Sequence, residues 1–456
     1  MNGTTMRRLI PAGAAIAGLV LLAGCSASDG GDDSADGEVT ITVAGKPTSE
    51  RPEELAAFER NLEEFSELHP DITIEGDESQ FDVQTFQAQL AGGQLPTVFY
   101  VPFTEMQGLI AREQVADLSE SIPADSIVNQ INPTILDVVQ DSDGATFGVP
   151  INAYSMGLLY NRDLFVQAGL DPDAPPTSWE EVRAAAKAIE DSTDAQGFAS
   201  MTIENTGGWV LTTTSYAFGD TLESEDGATA TVDNDATKEA LEFYQDLRWE
   251  DNSFGSNFLL GYGDAMNAFA AGSIGMFVQG ADAYGNVVVN LGMSPDAFGL
   301  APLPQQSSGL GTLGGGTAAI VNPTATEAER AAALEWVEFV NFRGFTDEET
   351  AVAAAKASSE DGLAVGAPGL PLFNAEVTAQ NLEWINEYIN VPRENFAAYL
   401  ETVETLALVP EPATKAQEVY GILDTVVQAV LTREDADIDA LLSEAQKTAQ
   451  AAIDAG

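Results

Sequence analysis

The sequence contains few of the side chains on which enzymes and metal sites usually depend. Its 456 residues include one histidine, His69, and one cysteine, Cys25. A Ser-His-Asp triad would have to use that histidine, and a zinc site would lack nitrogen and sulfur ligands. A single cysteine also excludes an intrachain disulfide. We therefore expect no metal and no cofactor, but catalysis by a pair of carboxylates, as in glycosidases, stays open with 72 aspartates and glutamates.

The cysteine lies at the end of a segment with the features of an export signal. Arg7 and Arg8 precede an apolar stretch over residues 9–22, which is shorter than the roughly 20 residues of a membrane-spanning helix. Two small residues then precede Cys25, an arrangement that resembles the bacterial lipobox. The pattern predicts a signal peptide over residues 1–24 and lipidation of Cys25. The alternative is an ordinary signal with an incidental cysteine.

The segment after the cysteine has the composition of a tether. Residues 26–37 are small and acidic and carry almost no apolar surface, so they cannot bury enough area to order themselves. We predict a lipidated flexible tether over residues 25–37. The protein is then expected outside the cytoplasm, anchored to the cell membrane through its N-terminal cysteine.

The charge of the chain limits its partners. The formal net charge is −54, with only 18 lysines and arginines. Nucleic acid is excluded as a partner, because its binding depends on cationic neutralisation of phosphates. An anionic substrate would need a local basic pocket. The simplest interpretation of the acidity is a solvated surface that keeps the protein soluble, and we expect a monomer.

Strand patterns alternate with helix patterns along most of the chain, which favours an α/β fold with a largely parallel sheet. Ser178, followed by Glu181, is typical of a capping box at a helix start. No second apolar run is long enough to span a membrane. The predicted strands cover residues 38–44, 72–75, 97–101, 156–160, 198–202, 274–278 and 317–321, and the predicted helices cover residues 52–69, 82–91, 162–168, 179–189, 236–249, 264–271, 327–342, 346–357, 376–389, 410–431 and 438–453.

Four stretches occur in the order in which one protein family carries them. Together they resemble the extracellular solute-binding proteins that deliver carbohydrates to ABC importers, a group that includes the maltodextrin-binding proteins. The resemblance extends from about Glu38 to the C terminus, and LLYNRDLF is its most specific element. The stretches are GGQLPTVFYV at 92–101, GVPIN at 148–152 with GLLYNRDLF at 157–165 and TSWEE at 177–181, AMNAFAAGSIGM at 265–276, and GGGTAAI at 314–320 with the apolar helix at 331–342.

The resemblance implies a periplasmic-binding-protein fold of two lobes, each a mainly parallel sheet flanked by helices, joined by strands that cross the hinge. It implies a binding protein rather than an enzyme, with a small carbohydrate or polyol as ligand and ABC permease subunits as partners. The implied segments are 38–150 for the first part of lobe 1, 151–300 for the first part of lobe 2, 301–345 for the return to lobe 1, and 346–456 for a C-terminal helical segment mostly in lobe 2.

The ligand is then expected in the cleft between the lobes. Sugars present apolar faces and hydroxyl rims, so a sugar cleft needs aromatic rings together with hydrogen-bonding groups. For Trp209 and Tyr100, packing in the core is the alternative interpretation. The positions that the resemblance assigns to the ligand are Tyr100, Phe103, Asn152, Tyr154, Trp209, Asp282, Gly315 and Gly316.

The chain also departs from the family pattern. Thr97 replaces the usual aspartate of the first stretch, and Tyr154 occupies a place where maltodextrin-binding members carry an acid. Asp282 occupies a place where a tryptophan is common. The pocket chemistry is therefore not that of a maltodextrin binder. A mono-, di- or oligosaccharide, a polyol or another small polar solute all remain open.

Two other functions stay open at this point. One is a carboxylate glycosidase tethered to the cell surface, because an acid pair can be found in any chain with so many acids. The other is a lipoprotein that uses the same fold as a sensor or structural component without transport. The sequence marks no specific acid pair, and it does not separate transport from sensing.

Overall fold

The strands build a single mixed sheet. The computed structural model describes residues 38–224, 226–403 and 405–455, so the predicted signal peptide, Cys25 and tether lie outside the described residues. Within these ranges, nine strands occur. They are β1 (Val39–Val43), β2 (Ile72–Gly76), β3 (Val98–Pro102), β4 (Val149–Asn161), β5 (Gln196–Phe198), β6 (Ile274–Gly280), β7 (Phe298–Pro302), β8 (Thr312–Val321) and β9 (Leu408–Val409).

Helices surround the sheet, and several begin at the caps that their sequence encodes. Ser178 accepts a hydrogen bond from the backbone of Glu181 at 3.2 Å, as the predicted capping box requires. The carboxylate of Glu181 bonds the backbone of Thr177, so the return bond falls one residue earlier. The helices of the described residues are α1 (Pro52–Leu68), α2 (Val83–Ala91), α3 (Phe103–Ala111), α4 (Pro133–Leu136), α5 (Arg162–Gln167), α6 (Trp179–Ser192), α7 (Thr206–Phe218), α8 (Asp235–Gln245), α9 (Tyr262–Ala270), α10 (Glu327–Thr346), α11 (Glu348–Glu360), α12 (Ala375–Trp384), α13 (Ala397–Thr402), α14 (Ala416–Thr432) and α15 (Ile438–Asp454).

Two long strands connect the two halves of the sheet. The strand order is β2-β1-β3-β8-β4-β6-β5, with β7 paired to β4 and β9 paired to β8. β4 pairs with β8 through residues 149–155 and then with β6 and β7 through residues 156–161. β4 thus passes from one half of the sheet to the other, as expected of a hinge-crossing strand.

The pairing directions show how the crossing strands fit between the parallel strands of the predicted fold. β1 runs parallel to β2 and β3, and β5 runs parallel to β6. β4 is antiparallel to β6, β7 and β8, and β8 is antiparallel to β3. The sheet as a whole is therefore mixed, because the crossing strands run against their neighbours, whereas the strands on either side of them pair in parallel as predicted. The alternation of helix and strand patterns in the sequence does not reveal which strands cross between the two halves.

The C-terminal helices pack on both halves of the sheet. α11 and α12 pack on α10, which covers β1, whereas α13 packs on β7. α14 and α15 pack on α7 and α8. The boundaries of the two lobes within the sequence stay a prediction.

Two predicted elements are shorter than expected. β5 ends at Phe198, and the chain then forms loop bonds such as Thr202 N to Leu260 O at 2.8 Å instead of a strand over 198–202. α14 begins only at Ala416, because Pro410 and Pro412 favour extended backbone before it. No helix of the described residues is long and apolar enough to cross a membrane.

Candidate functional site

A pocket lies at the carboxyl ends of β1 and β3. It has a volume of about 380 Å³, and Gly45, Ser79, Phe81, Tyr100 and Thr317 are among the residues that line it. The ring of Tyr100 lies close to Gly45, and the hydroxyl oxygen of Ser79 has no hydrogen-bond partner in the structure. Ligands of α/β proteins commonly bind at the carboxyl ends of strands. The pocket combines aromatic surface with hydroxyl groups, as a sugar subsite requires.

A second group of residues surrounds the carboxylate of Glu411. The hydroxyl of Tyr154 on β4 donates to one carboxylate oxygen at 2.9 Å, and the hydroxyl of Tyr420 on α14 donates to the other at 3.0 Å. Tyr216 on α7 donates to the carbonyl of Pro410 at 3.1 Å. A crossing strand and two helices thus fix the carboxylate in one orientation. A carboxylate has further acceptor sites, so Glu411 can still accept hydrogen bonds from a ligand.

The tyrosine hydroxyls of this group remain protonated at neutral pH. Burial raises the pKa of Tyr154, and the nearby carboxylates of Glu411 and Asp282 raise it further. Burial raises the pKa of Tyr399 to about 12, and its hydroxyl lies 2.7 Å from that of Ser155 on β4. All of these hydroxyls can therefore act as hydrogen-bond donors.

Two glycines of β8 give the predicted site residues room. A Cβ on Gly315 would lie 2.8 Å from the ring and hydroxyl of Tyr154, so that side chain lies directly over the glycine. A Cβ on Gly316 would lie 2.7 Å from the ring of Phe103. Phe103 is buried, and its ring packs under β8. Both predicted glycines thus accommodate aromatic side chains by close approach.

The pocket and the Glu411 group lie along one line of the sheet. Thr317 follows Gly315 by two residues on β8, so both face the same side and are about 7 Å apart along the strand. We call Tyr100, Thr317, Gly315, Tyr154 and Glu411 the cleft stripe. It runs from the end of β3 across both crossing strands.

Asp282 extends the acidic character of the cleft stripe. Its carboxylate folds back over Gly280 at the end of β6, and the residue is exposed. Partial burial nevertheless raises the pKa of Asp282. A Cβ on Gly280 would lie 2.3 Å from this carboxylate and 3.8 Å from the backbone oxygen of Ser155, so Asp282 lies close to the β4 segment that carries Tyr154. Its charge raises the pKa of both Tyr154 and Tyr399.

Asn152 and Trp209 lie near these residues but make other contacts. The side-chain oxygen of exposed Asn152 accepts the backbone N–H of Thr317 at 3.1 Å, which joins β4 to β8. Trp209 is half-buried in the first turn of α7 and packs against the core. In the described part of the chain, no hydrogen bond or ring contact links its indole to Glu411.

The N-terminus of α7 is occupied by a carboxylate of the protein. One oxygen of buried Asp424 accepts the backbone N–H of Gly208 at 2.8 Å, and the other accepts that of Asn205 at 2.8 Å. Burial raises the pKa of Asp424, whereas these backbone hydrogen bonds lower it. A helix N-terminus can otherwise bind a ligand anion, so Asp424 neutralises that position from inside the protein.

Sequence reasoning missed Glu411 and Tyr420. Glu411 was assigned to the helix predicted over 410–431, although the flanking Pro410 and Pro412 indicate an extended segment. The position of Glu411 between two prolines is the feature of the sequence that could have indicated it as a site residue. Tyr420 carries no such signal, because its position depends on the packing of α14 against α7. Among the described residues, no cluster of histidine, aspartate and glutamate side chains could hold a metal ion, and His69 belongs to none.

Comparison with known proteins agrees with this architecture. A binding protein of Brucella abortus is 27% identical over 276 residues, which cover 58% of this chain and 61% of that protein. The sn-glycerol-3-phosphate-binding periplasmic protein UgpB of Agrobacterium fabrum is 29% identical over 208 residues, which cover 44% of this chain and 45% of that one. The chain thus matches about half to three fifths of the length of these relatives.

Solved structures support the fold over nearly the whole chain. The cyclic alpha-maltosyl-1,6-maltose binding protein of Arthrobacter globiformis superposes with a TM-score of 0.66 at 24% identity, over 92% of this chain and 100% of that one. Residues 48–342, more than half of the chain, match the model of the bacterial extracellular solute-binding proteins. The chain therefore belongs to the family of bacterial extracellular solute-binding proteins.

Proposed function

We propose that this protein captures a sugar or related polyol between its two lobes and delivers it to an ABC import permease. The observation that carries the proposal is the cleft stripe, which lies across the two crossing strands in a chain of the solute-binding family. Relatives of this family serve ABC importers of sugars and polyols. The protein is a binding protein and not an enzyme.

The chemistry of the cleft stripe fits a ligand rich in hydroxyl groups. Tyr100 and Phe81 offer aromatic surface to the apolar face of a sugar ring. Glu411 accepts hydrogen bonds from ligand hydroxyls, while the hydroxyl of Thr317 can donate or accept. This mixture of rings and fixed polar groups supports a carbohydrate or polyol over an apolar ligand.

The proposed mechanism involves no bond-making. A ligand that contacts both lobes favours the closed arrangement by its differential affinity for the two states, and the permease then recognises the closed form. β4 and β8 are the elements that bend, because β4 pairs with strands of both halves, and β8 runs beside β4 and also packs against α7. The acid–tyrosine group of Glu411 joins β4 to α14 and so takes part in that motion.

The proposal includes anchoring at the outer face of the cell membrane through lipidated Cys25, with the acidic segment 26–37 as a tether. A Cys25→Ser variant should be recovered in the soluble fraction, while its ligand affinity stays unchanged. Membrane association of that variant would contradict the anchor. A loss of affinity would contradict the separation of tether and binding body.

A thermal-shift screen of the mature protein against sugars and polyols tests the binding function. A ligand present at many times its dissociation constant should stabilise the protein by about 3 kcal/mol. No shift with any member of the panel would contradict the carbohydrate assignment. Release of reducing sugar from an oligosaccharide would instead support the carboxylate glycosidase.

An uptake assay distinguishes a transport function from a sensing function. Cells that lack the protein should fail to accumulate the radiolabelled ligand found in the screen, and the Cys25→Ser variant should restore uptake only in part because it diffuses away from the permease. Normal uptake without the protein would favour a sensor or structural lipoprotein.

A further inference from the structure

The cleft stripe contains one acid, Glu411, and none of the lysines and arginines of the described residues. Asp282 lies close to the β4 segment that carries Tyr154. The residues that line the pocket at β1 and β3, and those that bond Glu411, include no lysine or arginine. This matters because one relative of the chain binds sn-glycerol 3-phosphate, whereas the structural neighbour from Arthrobacter globiformis binds an uncharged cyclic sugar.

The lysines that follow the pocket residue Gly45 and the acid Glu411 in sequence make contacts elsewhere. The side chain of Lys46 packs over Gly76 on β2, the outermost strand, although it follows Gly45 in sequence. Lys415 forms an ion pair with Glu418 at 3.2 Å. Neither lysine lies in the pocket or contacts Glu411.

Arg393 faces the other side of β4. It lines a separate cavity of about 420 Å³ with Ala153, and its guanidinium donates to the carbonyl of Gly366 at 2.8 Å. Ala153 and Tyr154 are consecutive on a strand, so their side chains point to opposite faces. Arg393 thus lines the cavity beside residues 151–153 of β4 and is not among the residues that line the pocket at β1 and β3.

The backbone N–H groups at the start of α7 do not provide an alternative binding site for an anion. A helix N-terminus is a common anion site, but at α7 the carboxylate of Asp424 already accepts the N–H groups of Asn205 and Gly208. A ligand phosphate would have to displace a buried carboxylate that two backbone bonds hold. The anion position of this helix is thus filled by the protein itself.

We infer that the cleft admits uncharged or positively charged polyhydroxyl ligands and excludes phosphorylated and carboxylated ones, with Glu411 as the residue that sets this selection. The inference rests on the proposed function, because it concerns the same cleft. A phosphate beside Glu411 and Asp282 meets like charges at close range without compensation, which disfavours binding strongly. A hydroxyl or an ammonium group can instead donate to the free acceptor sites of Glu411.

The test compares ligands that differ only in charge. Glycerol is paired with sn-glycerol 3-phosphate, and glucose with glucose 6-phosphate and glucosamine, together with the best neutral ligand of the screen and its phosphate ester. Binding is measured by calorimetry at pH 7 in low salt and in 1 M salt. High salt shortens the Debye length to about 3 Å, which removes the general repulsion by the acidic surface and leaves the contact repulsion.

The phosphate esters should bind at least about 100-fold more weakly than their neutral partners at both salt concentrations. Glu411→Gln keeps an acceptor oxygen and removes the charge, so it should reduce the ratio of the two affinities at least tenfold. Asp282→Asn should reduce this ratio less. Glu335→Gln is the matched control, because Glu335 pairs with His69 at 2.5 Å, away from the cleft stripe, and its removal should leave the ratio unchanged.

The outcomes separate this inference from the proposed function. A phosphate ester that binds as tightly as its neutral partner would overturn the inference and leave a solute-binding function in place. An affinity ratio that Glu411→Gln does not reduce would overturn the role of Glu411. If no ligand of either charge binds, the carbohydrate function fails, and the inference that rests on it fails too.

Discussion

At the scale of single residues, the site depends on close approach to a glycine. Tyr154 can reach Glu411 because Gly315 leaves space beneath its ring, where a Cβ would lie 2.8 Å from the ring and hydroxyl. The neighbouring Gly314 faces a different constraint, since its Cβ would meet the backbone oxygen of Tyr154 at 2.5 Å. A side chain can move aside at little cost, whereas a backbone in a paired strand cannot. The two glycines should therefore respond differently to the same substitution.

Gly315→Ala should weaken ligand binding while the fold survives. The added methyl displaces the ring of Tyr154 and breaks its hydrogen bond to Glu411, and bonds to charged groups contribute about 1.5–3 kcal/mol. We expect affinity to fall by about tenfold or more in calorimetry, with a small change in melting temperature. Gly314→Ala should instead destabilise the protein by about 1–3 kcal/mol through overpacking. Equal effects of the two variants on affinity would contradict this account.

Asp282 provides a pH-dependent prediction. Its pKa lies above the ordinary 3.8 in the folded protein because of burial, so the folded state holds the proton more strongly than the unfolded state does. The charged form therefore disfavours folding at neutral pH, and that cost disappears as the pH falls from the folded pKa to 3.8. Asp282→Asn should make the ligand-free protein slightly more stable at pH 7, by less than about 1 kcal/mol because the side chain is only partly buried.

Urea unfolding of the Asp282→Asn variant and the wild type, at pH 7 and at pH 3.5, measures this difference. The two proteins should converge at the lower pH, where the carboxyl is protonated in both states. A variant that is less stable than the wild type at pH 7 would show that the charge of Asp282 is compensated in the fold. A stability difference that persists at pH 3.5 would show that it does not arise from this charge.

At the scale of elements, the packing of α7 against α14 holds the Glu411 group together. α7 supplies Tyr216 and α14 supplies Tyr420, and Asp424 on α14 caps the first turn of α7. The helices approach so closely that a Cβ on Gly208 would lie 2.3 Å from the backbone oxygen of Tyr420. The orientation of Glu411 therefore depends on the packing of two helices that are separated by almost 200 residues in sequence.

Gly208→Ala should separate α7 from α14 and destabilise the protein by about 3 kcal/mol, because the methyl meets backbone that cannot move alone. Gly344→Ala is the matched control. Gly344 lies inside α10 with nothing near its Cβ position, so alanine there should stabilise the protein by up to about 1 kcal/mol. Chemical denaturation of both variants measures the contrast, and a Gly208→Ala variant as stable as the wild type would contradict the close helix contact.

Much of the element structure follows from local sequence, whereas the site does not. The alternating pattern at β1 and the cap at Ser178 have local causes, and both appear where the sequence indicates them. The orientation of Glu411 has no local cause, because its partners Tyr154 and Tyr420 come from distant segments. Family resemblance located Tyr154 on the crossing strand, but the acid that it bonds could be found only from the folded chain.

At the scale of the whole molecule, the sheet itself contains the hinge. β4 is 13 residues long and pairs with different partners along its two halves, so a bend between residues 155 and 156 changes the angle between the two halves of the sheet without breaking a ladder. β8 carries three consecutive glycines at the same level, and glycine accepts backbone changes at low cost. Both crossing strands can therefore deform where the cleft stripe crosses them.

Ligand binding should close the molecule measurably. A ligand that contacts the pocket at β3 and the Glu411 group at α14 bridges the two halves, so its binding energy favours the arrangement in which they approach. Small-angle scattering of the mature protein should give a smaller radius of gyration with saturating ligand than without it. The Gly315→Ala variant is the internal control. At a sugar concentration that is too low to saturate this variant, most of its molecules should stay open. Equal radii for the wild type with and without ligand would contradict closure, and would indicate that β4 and β8 form a rigid connection.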